Sequence, residues 1–179
     1  MGEINIFRKQ KLIAGILSSL PGRKDEILKV LSEEFGPVDY LSREILFTYT
    51  CYYNREMGDS ITRFFVSFRD LVNPENLSDF KVRTNCLEKM FSLQTSDEKY
   101  NRKVNIDPGI LSQSRLVLAS TKDFSHRVPI KNGIYGEVTL IYRGGRFEPL
   151  PWTFPDYRSD EYLEILSEIR EIYRNQLKH

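Results

Sequence analysis

The stretch Ser120-Thr121-Lys122-Asp123-Phe124-Ser125-His126-Arg127 packs two basic side chains, an imidazole and three hydroxyls into eight residues. His126 is the only histidine besides the terminal His179. An imidazole exchanges its proton near neutral pH and suits a general acid or base. Lys122 and Arg127 beside it have the chemistry to hold a phosphate or carboxylate. Asn132-Gly133, flanked by H-R-V-P-I-K and I-Y-G-E-V-T-L-I-Y-R, is the signature of a two-residue hairpin turn. That turn predicts Lys131 opposite Ile134, Val128 opposite Glu137 and His126 opposite Thr139. His126, Val128, Ile130, Tyr135, Glu137, Thr139 and Ile141 then share one face. Glu137 would lie diagonal to His126, about 7 Å away at the backbone, where its carboxylate favours the imidazolium. The expectation is a catalytic pair, His126 and Glu137, bordering the main pocket, with Lys122, Asp123, Arg127 and Asp107 binding a ligand. The plainer alternative makes Lys122 and Asp123 a solvated turn and His126 a locally bonded strand start.

Other chemistries find less support. There is no G-x-x-x-x-G-K-[ST] and no G-x-G-x-x-G opening a helix, so Gly133, Gly136, Gly144 and Gly145 read as hairpin punctuation. No H-x-x-x-H or C-x-x-C occurs, and no imidazole metal site is expected. A carboxylate-only site for Mg or Ca would draw on Asp107, Asp123 and Glu137, although loop aspartates more often serve as caps and turn residues. None of Ser112, Ser114, Ser120 or Ser125 sits in a G-x-S-x-G elbow. Cys51 and Cys86 match no zinc or redox spacing and read as packing residues of a reducing compartment. Lys plus Arg is 26 against 25 for Asp plus Glu, so bulk charge favours neither nucleic acid nor anionic lipid. The pairs Tyr52-Tyr53 and Phe64-Phe65 could stack on bases, but no basic stripe accompanies them. Composition names no cofactor and no oligomeric state.

The elements that must position these residues are read from periodicity. At 179 residues, 40% hydrophobic and 28% charged, one globular domain spanning 1–179 is expected. The mean hydropathy of −0.42, the lack of a long apolar run and an N-terminus without a signal h-region predict a cytoplasmic protein with no membrane partner. Leu12 to Leu17 is a continuous apolar run, expected as a central strand covered on both faces, with Gly15 marking close backbone approach. Ile27, Leu28, Val30, Leu31 and Phe35 predict a helix ended by Gly36-Pro37. Alternation from Val38 to Cys51 and from Ile61 to Phe68 predicts two strands, with Tyr52 to Gly58 between them as a turn or short helix. Asn73-Pro74 opens a helix reaching about Leu93. Thr95 to Asn101 reads as a polar loop, and Val104 to Asp107 as the next strand. For Gly109 to Thr121, Ile110, Leu111, Ser114, Val117 and Leu118 fit a helix, while L-V-L-A also fits a buried strand; the helix is preferred. Gly144-Gly145 should return a strand over Arg146 to Leu150. The proline-rich segment after it should run over the surface with Trp152 and Phe154 packed down. Tyr162, Ile165, Leu166, Ile169, Tyr173 and Leu177 stripe a C-terminal helix. The order predicts an α+β fold, a ferredoxin-like β-α-β-β-α-β sheet extended by a C-terminal antiparallel hairpin and meander and a C-terminal helix.

Four segments, V-N-I-D-P-G, L-V-L-A-S-T-K-D-F-S-H-R, G-I-Y-G-E-V-T-L-I-Y-R and P-L-P-W-T-F-P-D-Y-R-S, resemble the prokaryotic family called domain of unknown function 4416. Tyr52-Tyr53, Glu56-Met57-Gly58 and R-F-F-V-S-F extend the resemblance over nearly the whole chain. It implies a single-domain protein with no assigned reaction, so it carries over no catalytic residue. Two readings stand: a protein or enzyme for an anionic or phosphorylated small molecule, and a non-enzymatic interaction module docking through Pro149 to Tyr157, a second copy of itself included.

Overall fold

The computed structural model describes residues 2–94 and 100–178. The elements run β1 (Gln10–Ser18), α1 (Lys24–Phe35), β2 (Val38–Leu41), β3 (Ile45–Leu46), α2 (Asn54–Met57), β4 (Thr62–Val72), α3 (Leu77–Met90), β5 (Leu93–Gln94), β6 (Tyr100–Asn101) and β7 (Val104–Leu111). They continue with β8 (Arg115–Ser120), β9 (Val128–Lys131), β10 (Ile134–Arg143), β11 (Arg146–Pro149) and α4 (Asp160–Gln176). Among the described residues, nine strands form one antiparallel sheet with the path β11-β10-β8-β7-β1-β4-β2; β3 joins β4, and β9 joins β10.

β1 lies between β4 and β7, and Leu12 through Leu17 are buried, as a strand covered on both faces requires. Period-two alternation sends Leu12, Ala14 and Ile16, with Phe64, Val66, Phe68, Val104 and Ile106, against Ile27 and Leu31 of α1 and Phe80 and Leu87 of α3. The opposite face, with Ile13, Phe65, Leu111, Leu116, Leu118 and Leu140, packs against Tyr162, Ile165, Leu166, Ile169 and Tyr173 of α4. Each fully buried aliphatic on that stripe stabilises by about 1.5–3 kcal/mol. Ser159 caps α4 by accepting from the Tyr162 amide, and Asp160 and Glu161 place negative charge in its first turn.

Several expectations are corrected. Gly109 to Thr121 is not a helix: β7 runs on to Leu111, and Ser112 turns the chain into β8 by accepting from the amides of Ser114 and Arg115. Pairing with β1, which the local pattern does not encode, decides the ambiguity. The strand expected from Val38 to Cys51 is only β2 and β3, although Ile45 and Phe47 are buried as the alternation required. In the hairpin, Lys131 does face Ile134, but an irregularity at Ile130 then shifts the register, so that Tyr135 faces Pro129 and Val128 faces Gly136 rather than Glu137. His126 lies outside β9 and does not face Thr139. Cys51 and Cys86 are exposed free thiols, not packing residues. Trp152 and Phe154 stay partly exposed, though Trp152 Nε1 donates to Val138 O at 2.8 Å. Of the expected loop, 95–99 lies outside the described residues, and Tyr100–Asn101 pairs with Leu93–Gln94. Among the described residues no helix is long and apolar enough to cross a membrane.

Candidate functional site

Among the described residues, β7 pairs with β8 only through Gly109, Ile110 and Leu111, while Val104 through Pro108 pair with β1 alone. β8 instead turns toward β10, pairing up to Ser120 with Tyr135. The two strands therefore splay, and the open edge of β7 needs partners for its backbone groups. Helix α3 supplies them: Lys81 Nζ donates to Ile106 O at 2.8 Å, and Glu88 Oε1 accepts from Ile106 N at 2.9 Å. Pro108, two residues on, turns the place of its missing N–H to the same side. The wedge between the strands opens into a cleft of about 890 Å³.

At the floor sits Arg63 of β4, 2% exposed. Its Nη1 lies 3.2 Å from Asp107 Oδ2 and its Nη2 3.3 Å from Asp156 Oδ2. The rings of Phe47, Phe65 and Tyr157 surround the guanidinium at 5.7–5.9 Å. Gly15 makes this possible, because a β-carbon there would stand 2.9 Å from Arg63 Nη1 and from Tyr157 Oη. Lys81 adds a second cation, 3.8 Å from Asp107 Oδ1 and 3.5 Å from Glu88 Oε1. Arg102 reaches Asn105 Oδ1 at 3.2 Å, and its Nε stands 3.6 Å from Glu56 and 3.9 Å from Glu88.

The carboxyls of this cluster divide. Burial pushes the Asp107 carboxyl up, but Lys81 and Arg63 outweigh it and hold the group below its ordinary range. For Asp156, burial wins over Arg63 and the carboxyl is pushed up; for Glu88 it wins over Lys81 with the same result. One wedge thus holds an acceptor that stays ionised beside two carboxyls that take a proton more readily. Burial likewise raises the Tyr157 hydroxyl well above its usual range, keeping it a neutral donor.

The rim carries Lys122, whose Nζ donates to Tyr52 Oη at 2.7 Å and lies 4.4 Å from the Tyr52 ring centre. Among the described residues it meets no carboxylate within ion-pair distance. Arg127 also lines the cleft, but its Nε is bound to Glu137 at 2.8 Å and its Nη1 to Lys122 O at 3.0 Å.

The residues expected from sequence are thus partly assembled. Glu137 is 1% exposed, lines the cleft, and receives Arg127 and Thr139 on its inner side. His126 Nε2 lies 3.1 Å from Glu137 Oε2, so the two meet in spite of the shifted register. The imidazole itself opens on a shallower outer groove, stacked on Trp152 at 5.4 Å and 10° beside Phe124. Arg127 and Phe154 form the partition between groove and cleft. Asp123 is exposed and lines neither, and Asp107 lies deep in the cleft. No group of three or more histidine, cysteine or carboxylate side chains is arranged for a metal ion among the described residues.

Sequence reasoning missed Arg63, Lys81, Glu88, Asn105, Asp156 and Tyr157. One signal was legible: I-T-R-F-F-V-S-F places an arginine between apolar positions of a strand that is buried on both faces. A buried cation in such a strand demands buried carboxylates.

Splayed sheet and charged wedge together define a mixed α/β protein with a polar cleft built into its sheet. The chain belongs to the family described as Domain of unknown function (DUF4416), whose model matches residues 8–173. Neither the curated proteins nor the solved structures compared with it yield a match.

Proposed function

We propose that the protein binds a small anionic molecule, such as a phosphorylated metabolite, in the cleft between β7 and β8. The observation that carries this reading is the cleft of about 890 Å³ with Lys122 at its mouth, unpaired with a carboxylate among the described residues, above a base where Arg63 and Lys81 are matched by three carboxyls. Buried ion pairs are a weak source of stability, since apolar residues of equal volume often serve as well. Perturbed carboxyls gathered in a cleft mark binding and catalytic sites instead. In this reading Lys122 attracts the anion, Arg127 fixes the wall through Glu137, and His126 holds Glu137 from behind. Asp156 and Glu88, beside the ionised Asp107, supply the acid and base an enzyme would need. The strand order β7-β1-β4-β2, antiparallel and covered on one face by α1 and α3, supports a ferredoxin-like unit; we further propose that the chain is one domain, 1–179, working in the cytoplasm.

The test is thermal unfolding against phosphate, sugar phosphates, nucleotides and dicarboxylates. A ligand at a hundred times its Kd stabilises by about 2.7 kcal/mol, which raises the midpoint by about 5–10 °C for a chain of this size. A second reading rests on the exposed Phe124, Val128, Ile130 and Trp152 around the outer groove, which would suit a protein partner. A panel with no effect, together with a midpoint that climbs with protein concentration, would favour it.

A further inference from the structure

We infer that the floor of the cleft is a diol site: Asp107 accepts from two vicinal hydroxyls of a ligand whose phosphate lies toward Lys122. The ligand class is then a phosphorylated polyol, either a free sugar phosphate or the ribose phosphate of a nucleotide. The inference rests on the reading of the cleft as an anion site and adds the chemistry at its far end.

Within the buried cluster, Asp107 is the acceptor that remains open. Its side chain is 25% exposed, against 3% for Arg63 and 9% each for Asp156 and Glu88. Arg63 approaches one carboxylate oxygen and Lys81 the other. An ionised carboxylate offers about four lone-pair sites; Arg63 and the Asn105 side chain draw on one each and Lys81 stands 3.8 Å off, so two are left for a ligand. Two acceptors side by side match two adjacent hydroxyls. A ligand ammonium would also bind a carboxylate, but Arg63 and Lys81 stand within 4 Å of these same oxygens and would repel it. Arg63 and Lys81 are already engaged by Asp107, Asp156 and Glu88, so this end offers a ligand phosphate no free cation. Neutral donors remain.

Two further residues shape this end: Asn105 and Tyr157 line the cleft, the Asn105 side chain turned to Asp107 and the Tyr157 hydroxyl packed over Gly15 with Arg63. Between floor and rim runs an aromatic wall: Tyr52 packs on Tyr53 at 5.1 Å, Tyr53 on Phe47 at 6.0 Å, and Arg63 lies over Phe47 at 5.7 Å. These rings meet edge to face at 90° and 70°, so one of them offers its face to the C–H side of a sugar, with the hydroxyls directed to Asp107 and the phosphate to Lys122.

The test is calorimetric titration of the full chain with ribose 5-phosphate, 2-deoxyribose 5-phosphate, inorganic phosphate and adenosine monophosphate. Ribose 5-phosphate or the nucleotide should bind about tenfold or more tighter than the deoxy sugar or phosphate, the worth of one hydrogen bond to a charged acceptor. Whichever of the two binds tighter identifies the source, sugar phosphate or nucleotide. Asp107→Asn should erase the preference for the diol, and the deoxy comparison on the unaltered protein carries the test should that variant fold poorly. Lys122→Ala, at an exposed position, should weaken every phosphorylated probe. Equal affinity for the sugar, its deoxy form and phosphate would overturn the diol site and leave the anion site standing; no binding by any probe would overturn both.

Discussion

Gly15→Ala tests the architecture of the cleft floor with a single methyl group. Gly15 is in β1, paired with Phe65 on one side and Asp107 on the other, and its backbone is ordinary strand. Alanine there carries no dihedral penalty and should gain about 0.4–1 kcal/mol by restricting the unfolded chain. Against this, the new carbon would lie 2.9 Å from Arg63 Nη1, 2.9 Å from Tyr157 Oη and 3.1 Å from Phe65. An arginine tip elsewhere would swing away at little cost. This one is bound to Asp107 and Asp156 and walled by three rings, so it has nowhere to go. Overpacking of this kind costs about 1–3 kcal/mol. The net expectation is destabilisation by about 0–2.6 kcal/mol, centred on about 1.3 kcal/mol and read as a melting midpoint lower by about 3–5 °C. Calorimetric or fluorescence-monitored unfolding measures it. A midpoint above that of the unaltered protein would show that Arg63 is not held as described.

Further perturbations separate the parts of the account. Asp107 has a folded-state pKa below its unfolded value, so its stabilisation is present above about pH 4 and is lost as pH falls through the folded value. Asp107→Asn should therefore cost about 1–3 kcal/mol at neutral pH, with the deficit shrinking in acid. Asp156 has a raised folded-state pKa, so its ionisation opposes folding as pH rises through that value. Asp156→Asn should cost less than Asp107→Asn at pH 7 in urea unfolding, and the reverse order would contradict the division of the carboxyls. Trp152→Ala removes the stack on His126 and the bond to Val138 O, and should cost about 1–3 kcal/mol in the same assay; an unchanged midpoint would show that the segment does not brace the hairpin. Truncation before Ser159 strips Tyr162, Ile165, Leu166, Ile169 and Tyr173 from the sheet, and a product that still melted cooperatively would refute the role given to α4.

Elements with a strong local period were legible from sequence. Leu12 to Leu17 declares a doubly covered strand, and Tyr162 to Tyr173 a one-sided helix, because their burial is written in their own spacing. Gly109 to Thr121 was not legible, since L-V-L-A fits either period and pairing with β1 decides it. The hairpin turn at Asn132-Gly133 was read correctly, yet one extra residue at Ile130 moved Val128 from Glu137 to Gly136. The contact of His126 with Glu137 arises through the loop before β9 instead. For the site, Lys122, Arg127, Glu137 and Asp107 were found as isolated polar residues in loops and strands. Arg63, which holds Asp107 and Asp156 together, lies more than forty residues upstream of the first and about ninety upstream of the second. The sheet order brings Arg63 beside Asp107, and the turn after β11 returns Asp156 to them; no local pattern carries either.

The central claim is that a ligand occupies the wedge between β7 and β8. Backbone amide chemical-shift mapping tests it most directly, with the isotope-labelled full chain titrated with the tightest phosphorylated probe. The account predicts saturable shifts concentrated at Asn105, Asp107, Lys122 and Asp156. Shifts gathered instead at Phe124, Val128, Ile130 and Trp152, with the cleft amides unmoved, would contradict it.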